Sequence, residues 1–95
     1  MGKIYKGQDY RFTLTGGIDI TGGSAKIQYK KPGSDVVNEK IATISNPLVA
    51  ECYYDFVPAD NDTSGPLIFW LKLTMADNKI YFGEPFRLGI YEPGS

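Results

Sequence analysis

An all-β fold, two antiparallel sheets of seven or eight short strands packed as a sandwich, is what this sequence predicts, and three observations carry the prediction. Runs of alternating apolar and polar residues recur roughly every ten positions, separated by turn residues. Seven tyrosines and five phenylalanines favour sheet over helix. No window of about twelve residues combines apolar spacing at i, i+3, i+4 and i+7 with freedom from Gly and Pro. At 95 residues the chain is one domain, since two cores of half that size would each bury too little surface.

Lys3 to Lys6 is a short edge strand, closed by Gly7-Gln8-Asp9. Tyr10 to Thr15 follows, with Tyr10, Phe12 and Leu14 alternating against Arg11, Thr13 and Thr15 as a half-buried strand does. The pairs Gly16-Gly17 and Gly22-Gly23 mark turns on either side of a brief extended segment, Ile18 to Thr21. Ser24 to Lys30 points Ala25, Ile27 and Tyr29 inward. Lys31-Pro32-Gly33-Ser34 is a turn in which Pro presets φ and Gly supplies a positive one. Val36 to Thr43 alternates imperfectly and belongs at an edge. Asn46-Pro47 breaks the chain before Leu48 to Phe56, where Ala50, Cys52, Tyr54 and Phe56 share one face and Val49, Glu51, Tyr53 and Asp55 the other; Pro58 then ends pairing.

The longest apolar run lies after Asp60 to Gly65, and it reads as the central strand. Leu67, Phe69, Leu71, Leu73 and Met75 fall on one face, with Ile68, Trp70, Lys72 and Thr74 on the other. Ala76 to Lys79 turns tightly into Ile80 to Phe82. After Gly83-Glu84-Pro85 the last strand carries Phe86, Leu88 and Ile90 on one side.

The chemistry-bearing residues are sparse. There is no histidine, which removes the commonest general base and metal ligand, so an enzyme is the least expected class and no catalytic residue is assigned. Cys52 is the sole cysteine, which excludes an internal disulfide; on an apolar face it reads as a small buried hydrophobe. A net charge of −1 with scattered lysines gives no footprint for nucleic acid or an anionic membrane. No segment approaches transmembrane length and no cofactor fingerprint occurs.

Two features could bind something. Asp60, Asp62 and Ser64, with Gly65 sixth, fit the first half of a calcium loop, but the twelfth position is Leu71 where a bidentate Glu belongs, so a polar turn is the stronger reading. Trp70 and Ile68, with Tyr53 and Val49 from the other strong strand, form a candidate outward aromatic patch for a protein partner or a sugar.

Gly7-Gln8-Asp9, the alternation of Tyr10 to Thr15, Ile18 to Gly22, Ala25 to Tyr29 and Lys31 to Ser34 resemble the opening of small immunoglobulin-like domains in tailed-phage virion proteins, above all the N-terminal domain of baseplate upper proteins. The acidic turn Asp60 to Gly65 and the strand Leu67 to Leu73 resemble the later part of such domains. The resemblance implies a non-enzymatic immunoglobulin-like sandwich, made in the host cytoplasm and built in many copies into a virion. Such a protein binds capsid or tail proteins as a capsid decoration or a tail or baseplate adaptor. Baseplate upper proteins continue into long receptor-binding regions, which favours decoration or a small adaptor for a 95-residue sequence. The alternative is a carbohydrate-binding β-sandwich module, and a calcium-dependent adhesin is a third class.

Overall fold

The computed structural model describes residues 3–57 and 62–94. Nine strands follow one another among these residues: β1 (Lys3–Tyr5), β2 (Tyr10–Thr15), β3 (Ser24–Lys30), β4 (Val37–Ile41), β5 (Thr43–Asn46), β6 (Glu51–Phe56), β7 (Gly65–Thr74), β8 (Ile80–Phe82) and β9 (Phe86–Tyr91). They form two sheets packed as a sandwich. The larger has the order β1-β9-β7-β3-β4, with β8 also paired to β7, and the smaller the order β2-β6-β5. Taking β2, β3, β5, β6, β7 and β9 as strands B, C, D, E, F and G, this is the immunoglobulin arrangement of B-E-D over G-F-C.

Alternation decides which side chains fill the space between the sheets. Leu67, Phe69, Leu71 and Leu73 of the central β7 are at most 7% exposed, and β3 places Ala25, Ile27 and Tyr29 beside them. One half of the core is aromatic: the Phe12 ring lies 4.4 Å from Phe69 and 5.2 Å from Phe56, and Tyr29 meets Phe56 edge-on at 5.5 Å. The other half is built from small and aliphatic side chains, Ile20, Ala25, Ala42, Ala50, Cys52, Leu71 and Leu73. The rings are thus confined to one end of the sandwich, where Ile4, Ile27, Leu67, Leu88 and Ile90 pack among them.

The turns follow their chemistry. Gly33 has φ +73°, and Ser34 N–H donates to the Lys31 carbonyl, as the Pro-Gly turn requires. Asn78 takes the left-handed conformation at φ 69° in the β7–β8 hairpin, where Asp77 Oδ1 accepts from Lys79 N–H.

Five expectations are corrected. β1 pairs with β9 in parallel, so the larger sheet is mixed rather than antiparallel. The ninth strand is β5: the chain leaves β4 at Ala42, whose N–H still bonds the Ala25 carbonyl, and crosses at once to the other sheet. A buried alanine at that corner lets the sheets approach closely. Ile18 to Thr21 is no strand. There Asp19 Oδ1 accepts from both the N–H and the hydroxyl of Thr21, a local turn that delivers Ile20 into the core with its N–H on the Pro47 carbonyl. Pro47–Val49 forms a 3-10 turn capped by Asn46, and Ala50 follows at φ 53°, so β6 begins at Glu51 rather than Leu48. β7 ends at Thr74, so Met75 lies just past the strand, although it still packs, half-buried, against the Leu71 and Leu73 end of the core as its face predicts. Pro58 and Asp60 lie outside the described residues.

Candidate functional site

Three surfaces could meet a partner. The outer face of the smaller sheet is polar. Arg11 and Asp55 are directly opposite on β2 and β6 and join through two hydrogen bonds, 2.7 Å from Nε and 3.1 Å from Nη2. The Arg11 guanidinium also lies 4.1 Å over the Tyr53 ring. Its hydrogen bonds hold the Asp55 carboxyl below its ordinary value and raise the guanidinium. Tyr53 is thus half-covered by a paired cation.

The outer face of the larger sheet is organised by cross-strand pairs. Trp70 stands opposite Gln28, and its indole Nε1–H donates to Gln28 Oε1 at 2.8 Å. Gln28 passes its amide on to Glu39 of β4 at 2.7 Å, and Lys26 and Lys72 approach the same carboxylate at 3.2 and 3.5 Å. The Gln28 hydrogen bond, followed by Lys26, lowers the Glu39 carboxyl from its ordinary value. Trp70 is half-buried in a satisfied polar network.

The four residues expected as one patch are therefore dispersed. Trp70 and Ile68 face outward from the larger sheet, Tyr53 faces outward from the smaller one on the opposite side of the sandwich, and Val49 sits in the 3-10 turn at one end. Alternation along β6 and β7 shows two faces for each strand but not which sheet the strand joins. The calcium reading fares no better: Asp62 accepts from Lys31 Nζ at 3.2 Å and from Thr63 at 3.1 Å, and both lower its carboxyl. Ser64 is exposed, and Asp60 lies outside the described residues. No group of three or more His, Cys, Asp or Glu among the described residues could hold a metal ion.

The third surface is one the patterning did not single out. Along the side of the sandwich formed by β8 and β9, Ile80, Tyr81, Phe82 and Phe86 are 51%, 47%, 63% and 50% exposed. Register separates them into two kinds. Ile80 and Phe82 pair with Thr74 and Lys72 and face outward, whereas Tyr81 and Phe86 pair with the core residues Leu73 and Phe69 and face between the sheets. Phe86 stacks on Phe69 at 5.9 Å, yet half of it meets water. Beside it a cleft of about 380 Å³ opens between the end of β2 (Leu14, Thr15, Gly16) and Leu71, Phe82, Glu84 and Phe86.

Comparison with known proteins finds no family model that matches the chain and no curated relative. A signal for the third surface was present in the sequence: Ile80-Tyr81-Phe82 is an unbroken apolar run on a strand of period two, so at least one of the three must point away from the core.

Cys52 plays no part in any of them. It is 1% exposed, its thiol points at the Ala50 carbonyl at 3.4 Å, and burial, then the nearby Glu51, raises its pKa.

Proposed function

We propose that this chain is a non-enzymatic structural protein of a tailed-phage virion, a capsid decoration or a tail or baseplate adaptor, that works by binding neighbouring virion proteins. The observation that carries the reading is the concentration of exposed large apolar side chains at β8 and the start of β9, Ile80 and Phe82 on the outer face of the larger sheet and Phe86 at its open inner edge, where a free-standing domain would be expected to show polar residues. Aromatic side chains clustered in this way dominate the energetics of protein interfaces. The B-E-D over G-F-C strand order agrees with the phage-domain resemblance of the sequence.

The sugar-binding alternative loses its platform. Trp70 already spends its indole N–H on Gln28, and Tyr53 lies on the opposite face under Arg11. The polar groups around Trp70 are satisfied by one another rather than offered to a ligand.

The test is competitive assembly. Wild-type chain and the Phe82→Asp variant are supplied together during particle assembly, and their ratio is read by mass spectrometry of purified virions. A charge placed at the centre of an apolar contact should lower incorporation about tenfold or more, while Tyr53→Asp on the polar face should incorporate normally. Equal incorporation of Phe82→Asp contradicts the proposal, as does absence of the wild-type chain from virions.

A further inference from the structure

Among the described residues the larger sheet runs five strands wide along its main path, and three strands face it. That imbalance leaves Tyr81 and Phe86, which point between the sheets, about half exposed, when inward residues elsewhere on β7 and β9 are nearly all buried. Among the described residues the smaller sheet is one strand short on the β2 side.

Backbone parity shows what could fill the gap. Gly16 N–H bonds the Ala50 carbonyl, the Glu51 carbonyl turns the other way to accept from Ser45 Oγ of β5, and the β2–β6 register runs without interruption from Tyr10↔Phe56 to Thr15↔Glu51; the Gly17 N–H on the Val49 carbonyl lies beyond that ladder, at the 3-10 turn. In an antiparallel ladder hydrogen-bonded and non-bonded pairs alternate. Leu14, Phe12 and Tyr10 therefore spend their backbone groups on β6, while Arg11, Thr13 and Thr15 direct theirs away from it. β2 has no second strand partner among the described residues. Its outer edge is a row of donors and acceptors next to an apolar cleft.

We infer that the β2 edge and this cleft form a slot that accepts an extended segment of about six residues from a neighbouring protein chain. The occupant's chemistry follows from the slot. Only an extended backbone satisfies the groups of Arg11, Thr13 and Thr15 together, which excludes a helix. Alternate apolar side chains would cover the exposed half of Phe86 on the inner side. Glu84 lines the cleft, is exposed and makes no ion pair among the described residues, so a Lys or Arg in the segment complements it. Arg11 is already neutralised by Asp55 and adds no net positive charge. The free edge of β4 is a poorer site: Ala42 N–H on the Ala25 carbonyl leaves Val37, Glu39 and Ile41 facing outward there, but Lys40 and Glu39 charge the strand.

This inference rests on the protein-binding reading above and places its docking point. Its test is independent of virions. A display library of random twelve-residue peptides is selected on the immobilised full chain, and the enriched peptides are added to labelled protein for residue-resolved amide exchange. The slot predicts peptides with alternating apolar residues and a Lys or Arg, and exchange of the Thr13 and Thr15 amides slowed by about tenfold or more. Thr13→Pro removes one outward N–H without touching the β6 ladder and should weaken binding about tenfold, with Thr13→Ala unchanged. Protection at Val37, Glu39 and Ile41 instead, or no peptide enriched above blank support, overturns the inference; the exchange readout on the wild-type chain holds even if Thr13→Pro fails to fold. Peptides seated in the slot of a chain absent from virions would retain the slot and refute the virion assignment.

Discussion

Truncating two phenylalanines of the same sandwich should separate its closed centre from its open side. Phe56 is 0% exposed, tilted against Phe12 at 5.2 Å and edge-on to Tyr29 at 5.5 Å. Phe56→Ala removes the full transfer term and leaves a cavity that rings on both sides cannot collapse, a loss of about 4 kcal/mol. Phe86 also faces inward, on Phe69 at 5.9 Å, but is 50% exposed. Phe86→Ala forfeits about half a transfer term and opens no enclosed void, a loss of about 1 kcal/mol. For a domain of this size each kcal/mol moves the midpoint by roughly 4–8 °C, so Phe56→Ala should melt about 20 °C lower and Phe86→Ala only about 5 °C lower. Urea titration followed by circular dichroism measures both, with unchanged slopes securing the comparison. Equal losses would refute the open side, because they would mean that Phe86 is as well covered in solution as Phe56.

Other consequences are equally direct. Gly23→Ala should cost about 1–3 kcal/mol in a melting experiment, because the added methyl runs into the Thr74 carbonyl and sits 3.1 Å from the Ile20 carbonyl, neither of which can yield; Gly33→Ala, in open space at φ +73°, should cost only the left-handed penalty of about 1 kcal/mol. The carboxyls of Asp19, Glu39, Asp55 and Asp62 all lie below their ordinary values. The unfolded chain therefore binds more protons than the folded one between the lowered and ordinary values. Their stabilisation is present above the ordinary values of 3.8 and 4.5 and is lost as pH falls through the lowered ones. Asp55→Asn should flatten that acid limb in pH-dependent melts, and an unchanged limb would remove Asp55 from it. The Cys52 thiol should react with a disulfide reagent only at the rate of unfolding, and immediate stoichiometric labelling of the native chain would show that Cys52 is not buried.

Local patterning carried most of the framework. Leu67, Phe69, Leu71 and Leu73 declared the inner face of β7, and Ala25, Ile27 and Tyr29 that of β3, because burial on one side of a strand forces period two. Pro32-Gly33 and Asn78 declared their turns through the φ values that they permit. Pairing was harder to read. Nothing in Lys3 to Tyr5 says that its neighbour is β9 or that the pair is parallel, since register is a property of two distant segments. Ala42 passes from one sheet to the other with no glycine or proline to mark the corner. Tyr53 and Trp70 face outward as their alternation predicts, yet sheet membership puts them on opposite sides. Alternation puts Phe86 on one side with Leu88 and Ile90, but its exposure depends on how many strands face it, which no single segment encodes.

The most direct measurement of the central claim is hydroxyl-radical footprinting of the chain, free and within purified virions. If neighbouring proteins dock on the open side, Tyr81, Phe82 and Phe86 label readily in the free chain and are protected in the particle, while Tyr53 labels alike in both. Unchanged labelling of Phe82 and Phe86 on assembly, or protection confined to Tyr53, would contradict the account.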